Sequence, residues 1–412
     1  MDNIKITPNK LKGKVNIPPS KSMAHRAIIC AALSKGKSVI DNIDLSDDII
    51  ATISAVKSMG AEVIVDNRKV TINGIFNSSS KDDFTIDCNE SGSTLRFFVP
   101  ITMLLNVKKT FIGKGNLGKR PLDVFYNIFD KQGVKYSYKK DILNLTVKGR
   151  LKPDTFEVRG DISSQFITGL LFTLPLLEGN SRIIITTDLE SKSYLDLTLS
   201  MLEKFGIKII NNDYKEFIIK GNQEYKAMDY TVEGDYSQAA FFLSANYLGS
   251  DIDVLGLDET SLQGDKEIIK WLDVLKNSEE KIIDSTNCPD IIPVLTVCAA
   301  LTKGETRIIN AGRLRIKECD RLSAISSELN KLGAKITENE DNLVIEGVEE
   351  LNGGPVNSHK DHRISMSMAV ASTAAKDDII IKDYMCVRKS YPTFFEDFVS
   401  LGGEIHECDI WE

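Results

Sequence analysis

One phrase recurs along the chain: a helical stretch ending on glycine, then two short stretches in which apolar and polar residues alternate. It reads AVKSMGAEVIVDNRKVTING to Gly74, NIFDKQGVKYSYKKDILNLTVKG to Gly149 and MLEKFGIKIINNDYKEFIIKG to Gly221. A worn copy, WLDVLKNSEEKIID, a clear one, ELNKLGAKITENEDNLVIEG to Gly347, and a truncated FVSLGGEIHE complete the series. The helix-ending positions Gly60, Gly133, Gly206, Asn277, Gly333 and Gly402 define six units at roughly seventy-residue spacing, and Gly or Asn is what a left-handed helix end takes. A second echo, VRGDISSQFITGLL at 158–171 and VEGDYSQAAFFLSA at 232–245, indicates that larger blocks were duplicated.

Six α/β units in two groups of three is the economical reading. A chain of 412 residues exceeds one ordinary core and is expected to form two domains. The first holds residues 14–225; the second holds 226–412, with residues 1–13 returning to it as a strand. Repeats of 20–45 residues usually stack as solenoids. Units this long, with strands on both sides of a helix, can instead close around a common centre as helices screened by sheets. Lys21 then falls near the crossover between domains, where a ligand cleft is expected.

Bulk properties narrow the partners. Hydrophobic residues at 42% and charged residues at 27% are the balance of a soluble protein, and the net charge of −8 argues against a duplex-binding face and so against nucleic acid. The N-terminal MDNIKITPNK has no apolar core of a signal, and the longest oily run, 97–107, is too short to span a bilayer and contains Pro100, so no membrane association and a cytoplasmic location are expected. The 7 cysteines form no CxxC pair and the 4 histidines show no ligand spacing, so neither a metal nor a disulfide framework is expected.

The chemistry concentrates at helix starts. In NIPPSKSMAHRAIICAA, residues 16–32, two prolines end a strand and Ser20 or Ser22 can cap a helix that carries Lys21 in its first turn and Arg26 four residues after Ser22. Free backbone donors with a hydroxyl, an ammonium and a guanidinium make an anion site. NESGSTLR at 89–96 adds Gly92 and Arg96, and GKGNLGKRP at 113–121 adds Lys114, Lys119 and Arg120, with Pro121 expected at a helix N1 position. Ser163, Ser164 and Gln165 head an apolar helix, and Ser191, Lys192 and Tyr194 follow a strand. Farther on, Asp290 precedes IIPVLTVCAAL, where a carboxylate can cap the helix. Lys317 and Arg321, a like-charged pair four apart, call for an anion or carboxylate between them. Asp361-His362-Arg363 and Arg388-Lys389-Ser390-Tyr391-Pro392 precede the last two helices. Any one of these is explained by capping or by a solvated surface, Asp320 and Asp361 as caps among them; together they require separate accidents at some seven helix starts.

The ordered motifs PSKSMAHRA, NESGSTLRF, LGKRP, SSQF, SKSY, PD, RIKECDR, KDHR and RKSYP resemble those of the enolpyruvyl transferases over nearly the full chain. The resemblance implies two similar domains, each of three βαβαββ units arranged as an inverse α/β barrel, with the active site between them. It implies shikimate 3-phosphate and phosphoenolpyruvate as substrates, no cofactor, no metal, and a monomer. By motif, Ser22, Arg26, Ser163, Ser164, Ser191, Tyr194 and Lys317 match the shikimate 3-phosphate ligands, Lys21 and Asp290 also reaching that substrate, and Gln165 lies between the two substrates. Arg120, Arg321, Arg363 and Lys389 match the phosphoenolpyruvate cage, which Lys21 completes, and Gly92 matches the glycine beside which phosphoenolpyruvate or the inhibitor glyphosate packs. Asn116 stands where some members have Arg, and Phe97 where many have Pro.

Enolpyruvyl transfer protonates C3 of the enol, deprotonates the attacking hydroxyl and expels phosphate from a tetrahedral adduct. Asp290 and Glu318 supply carboxyls, and Lys21 and Lys389 supply ammoniums, for those proton transfers. Asp290 is the expected base, and Glu318 or Lys21 the acid. Two rivals stand beside this reading. An enzyme that loads UDP-N-acetylglucosamine would usually carry Cys in the 113–121 loop, where this chain has Gly115. A non-catalytic binder of phosphorylated metabolites would keep the basic ligands and lose the carboxyls.

Overall fold

The computed structural model describes residues 3–75, 82–139 and 141–408. The chain divides into a central unit, Pro19–Glu233, and a split unit made of Met1–Pro18 with Gly234–Glu412. These bounds differ by a few residues from those expected, for reasons of strand pairing. Lys12–Asn16 lies parallel to Asp251–Leu255, which ties it to the split unit. Tyr225–Lys226 and Tyr230–Thr231 pair with Ser34–Lys35 and Lys37–Asp41, which ties them to the central unit.

The twelve α-helices among the described residues alternate between two characters. Helices α1 (Lys21–Ala32), α3 (Gly92–Thr102) and α5 (Ser164–Thr173) of the central unit are buried almost all round, whereas α2 (Asp47–Ser58), α4 (Asp123–Gln132) and α6 (Lys192–Lys204) bury one face. In α4 that face is Val124, Phe125, Ile128 and Phe129, the spacing of an amphipathic helix. The split unit repeats the alternation: α7 (Tyr236–Tyr247), α9 (Ile292–Ala300) and α11 (His362–Ser372) are buried, and α8 (Ile268–Asn277), α10 (Arg321–Lys331) and α12 (Phe394–Ser400) are one-sided. Each unit has its own hydrophobic core.

Among the described residues five four-stranded sheets share one pairing scheme. In one, Phe84–Asp87 runs parallel to Lys108–Ile112, which is antiparallel to Ile142–Lys148, itself antiparallel to Lys135–Lys139. In four of these sheets the parallel pair flanks a buried helix and the antiparallel hairpin follows a one-sided helix, the order βαβαββ; in the fifth, Lys37–Asp41 takes Tyr230–Thr231 as its parallel partner in place of the strand before α1. In the last sheet the N-terminal strand Asn3–Thr7 fills the hairpin position between Ile379–Lys382 and Glu404–Glu407. The fourth unit departs from the scheme: Lys12–Asn16 and Asp251–Leu255 form a two-stranded sheet, and the strand after α8, Lys281–Asp284, opens the next sheet. The worn copy in the sequence is therefore a unit without its hairpin. The same unit corrects the expected left-handed Asn277. Gly60, Gly133, Gly206, Gly333 and Gly402 all have positive φ, but Asn277 is the last helical residue, its amide donates back to Asp273 (2.6 Å), and the chain leaves through extended Ser278. Among the described residues no helix is long and apolar enough to cross a membrane.

Close helix packing places the first site residues. A Cβ on Gly169 of α5 would sit 2.4 Å from the Arg96 carbonyl oxygen of α3, a contact that only glycine permits. The starts of α3 and α5 are thereby held side by side.

Candidate functional site

In the central unit, Ser20 is the cap of α1 and accepts the Met23 amide at 3.4 Å. Lys21, in the first turn, pairs with Asp48 at 2.9 Å. Arg26 is buried, and its guanidinium donates to the Thr198 hydroxyl (2.9 Å) and to the carbonyls of Ser22 (2.7 Å) and Tyr194 (2.8 Å). Burial lowers its pKa to about 10. Ser22 and Tyr194 thus meet Arg26 through their backbones. Ser191, just before α6, holds a left-handed conformation (φ 56°) and is fully buried.

Arg96 and Gln165 knit the adjacent helix starts. Arg96 donates to the Gln165 side-chain oxygen (2.8 Å) and to the Pro121 carbonyl (3.3 Å), while the Gln165 amide donates to Ser93 (3.0 Å). Ser163 is the cap of α5 and accepts the Gln165 amide at 3.3 Å; Ser164 is buried beside it. Ser91 caps α3, and a Cβ on Gly92 would lie 2.6 Å from a terminal nitrogen of Arg120, so this guanidinium lies over the bare glycine. The loop residue Pro121 was expected at N1, but α4 begins at Asp123. A buried chain that the sequence did not announce runs from the His25 ring to Thr52 (2.7 Å), on to Thr94 (2.8 Å) and to the Ser91 hydroxyl (2.8 Å). Burial pushes the His25 pKa down to about 3, so the ring is neutral.

The split unit gathers four cations around carboxylates. Asp290 was expected as a cap of α9; instead Ile291 occupies that place without a side-chain bond, and Asp290 turns to basic residues far away in sequence. Its Oδ1 accepts from Arg321 (2.8 Å) and Lys317 (3.5 Å), and its Oδ2 from Arg363 (3.4 Å). The like-charged pair Lys317 and Arg321 therefore has its carboxylate. Burial alone would raise the Asp290 pKa, but Lys317, Arg363 and Arg321 outweigh it and hold the carboxyl well below the usual range. Lys317 moves the other way: burial is the largest influence and brings it down to about 8 despite Asp290.

Arg321 is 1% exposed and also donates to Glu318 (2.8 Å) and Asp361 (2.8 Å). Glu318 in turn meets Lys389 at 3.4 Å, and Lys389 is buried rather than solvated. Asp320 and Asp361 cap α10 and α11, accepting the Ser323 and Arg363 amides at 3.0 and 2.8 Å. One further carboxyl had no sequence signal. Asp265 is buried, accepts the Ser237 hydroxyl at 2.6 Å, and lies one step from Arg363, which donates to the Ser237 carbonyl at 3.0 Å. Burial first, and the Asp290 charge second, raise its pKa to about 7.

Ion-paired guanidiniums at buried helix starts are a preorganised site for a small, multiply charged anion. Among the described residues no group of His, Cys, Asp and Glu is arranged to hold a metal ion. The fold has solved counterparts: a structure of EPSP synthase from Acinetobacter baumannii superposes with a TM-score of 0.81 at 24% identity, covering 99% of this chain and 100% of that one. A second structure from the same organism gives 0.80 at 23% identity, with the same coverage. The family model described as EPSP synthase (3-phosphoshikimate 1-carboxyvinyltransferase) matches residues 6–398. A Clostridium perfringens protein of the name 3-phosphoshikimate 1-carboxyvinyltransferase is 62% identical, covering 98% of this chain and 99% of that protein. Another of that name, from Clostridioides difficile, is 60% identical over the full length of both. The chain belongs to the EPSP synthase family of enolpyruvyl transferases.

Proposed function

We propose that the chain transfers the enolpyruvyl group of phosphoenolpyruvate to the 5-hydroxyl of shikimate 3-phosphate, releasing phosphate, in the cytoplasmic shikimate route to aromatic amino acids. In the addition step the hydroxyl oxygen bonds to C2 while a proton goes to C3. In the elimination step the C2–O bond to phosphate breaks and C3 returns a proton. The observation that carries the reading is the cluster of Asp290, Lys317, Glu318, Arg321, Arg363 and Lys389 in a chain of this family.

The residue roles follow the motifs. Ser22, Arg26, Ser163, Ser164, Ser191, Tyr194 and Lys317 take shikimate 3-phosphate. Lys21, Gly92, Arg120, Arg321, Arg363 and Lys389 take phosphoenolpyruvate, and Gln165 meets both. Asp290, tied to three cations, is ionised but only weakly basic. Substrate anions compete for those cations, and each one drawn away returns basicity to Asp290, which then accepts the hydroxyl proton. Glu318 or Lys21 gives the proton to C3. The positive groups left around the phosphate and carboxylate stabilise charge as the adduct forms and collapses.

Steady-state phosphate release tests the reading. Phosphate should appear from phosphoenolpyruvate only when shikimate 3-phosphate is present, and UDP-N-acetylglucosamine should not replace it. Preference for the nucleotide sugar, or release with neither acceptor, would overturn the assignment.

A further inference from the structure

The turn that enters α11 is held more firmly than capping requires. His359 and Lys360 both have positive φ (52° and 56°), a tandem left-handed pair without glycine. Such a turn persists only where its surroundings over-determine it. Part of the hold is internal: the His359 amide donates to the Asn357 side chain (2.7 Å), the Lys360 amide to the Ser358 hydroxyl (3.1 Å), and the Asp361 amide to the Ser358 carbonyl (2.9 Å).

The rest comes from α10. Glu328 is 1% exposed, and its two oxygens accept the Asn357 amide (2.9 Å) and the His359 ring nitrogen (2.7 Å), with Lys331 reaching both at 2.8–2.9 Å. Burial pushes the Glu328 pKa up, but the bonds from His359, Lys331 and Asn357 win and hold it down to about 2. Glu328 stands seven residues after Arg321, two turns along the same face of the helix. At its far end the turn delivers Asp361, which grips Arg321 at the start of α10 and accepts the Arg363 amide. One five-residue turn is thus pinned to one helix at two points.

We propose that Glu328 and His359 are positioning residues for the anion-binding guanidiniums: by fixing the turn 357–361 they set Asp361, and through it the aim of Arg321 and Arg363. Neither residue needs to touch a substrate. The kinetic consequence rests on the assignment of Arg321 and Arg363 to phosphoenolpyruvate; the structural consequence does not.

The test uses the full-length chain with H359A, H359Q and, as a control on the same turn, K360A. In H359Q a side-chain amide can replace the ring as donor to Glu328. Three quantities are measured: KM for phosphoenolpyruvate, KM for shikimate 3-phosphate, and hydrogen exchange of the Arg363 amide. H359A should raise the first roughly tenfold, leave the second within about twofold, and speed the exchange about tenfold. H359Q should recover most of each effect, and K360A should match the parent. The inference is overturned if H359Q is as impaired as H359A, if both KM values rise together, or if Arg363 exchange does not change. If the parent itself fails to turn over this substrate pair, the proposed function falls, and the exchange comparison still decides the positioning role.

Discussion

The two units hold their buried cations in different ways. In the central unit, Arg26 donates to a hydroxyl and two carbonyls, and Arg96 to an amide oxygen and a carbonyl. These partners are neutral dipoles, whereas Lys21 pairs with the Asp48 carboxylate. In the split unit, Arg321 meets Asp290, Glu318 and Asp361, Arg363 and Lys317 meet Asp290, and Lys389 meets Glu318. Neutral partners aim a cation and leave it hungry for an anion, whereas carboxylate partners store it, neutralised, until a stronger anion competes. This difference suits the proposed chemistry, since a carboxylate partner can also accept or give a proton.

Asp290→Asn carries the largest expected effect. If Asp290 takes the hydroxyl proton, single-turnover rates at saturating substrates should fall by roughly two to four decades, the range of a lost general base. Calorimetric affinity for shikimate 3-phosphate should change far less. Turnover near the parent rate would shift the base to Glu318 and leave Asp290 as a counter-ion.

A second contrast concerns stability. Asp361→Ala deprives buried Arg321 of one of its carboxylates and α11 of its cap, and should cost about 3–5 kcal/mol in denaturant unfolding of the split unit. Thr198→Val removes a neutral acceptor from Arg26 at nearly constant volume and should cost the central unit only about 1–3 kcal/mol. Equal losses would mean that Arg321, with Asp290 and Glu318 still in place, does not depend on its third carboxylate.

Gly92→Ala probes the central unit more gently. The added methyl meets the tip of Arg120, which can swing away, so folding should survive. The KM for phosphoenolpyruvate should rise roughly tenfold, about 1.4 kcal/mol, with the KM for shikimate 3-phosphate unaffected. A rise in the latter alone would reassign Arg120.

How far the sequence foretold these sites depends on the range of the interactions. The repeats were legible because a glycine helix end and a two-residue strand period are local signals; the pairing of Lys12–Asn16 with Asp251–Leu255 was not, because nothing near either strand encodes its partner. The helix starts were legible through their density of Ser, Lys and Arg. Asp290 was recognised as a site residue but misread as a cap, since its partners lie 27, 31 and 73 residues away. Asp265 and the Glu328–His359 pair carried no motif, and His25 lay inside one without being singled out: their character comes from burial, which spacing cannot report.

Asp265 yields the smallest effect and the most direct reading of that burial. Its folded pKa of about 7 lies above its unfolded value of 3.8, so the folded state binds the extra proton and stability falls as pH rises through that window. Between pH 6 and 8 the native group goes from mostly protonated to mostly ionised while the unfolded one is ionised throughout, so this residue alone removes about 1.4 kcal/mol. The groups that face it are Ser237, Arg363, Asp290 and Asp235; the Arg363 charge opposes the shift, and the Asp290 and Asp235 charges add to it. Asp265→Asn keeps an oxygen to accept the Ser237 hydroxyl but cannot ionise. The difference in unfolding free energy between parent and variant should therefore move against the parent by about 1.4 kcal/mol from pH 6 to pH 8, and other titrating groups cancel in the subtraction. A difference that stays flat across that range would overturn a native pKa near 7: Asp265 is then either ionised already at pH 6, with Arg363 and not burial setting its charge, or still protonated at pH 8, with burial alone in control.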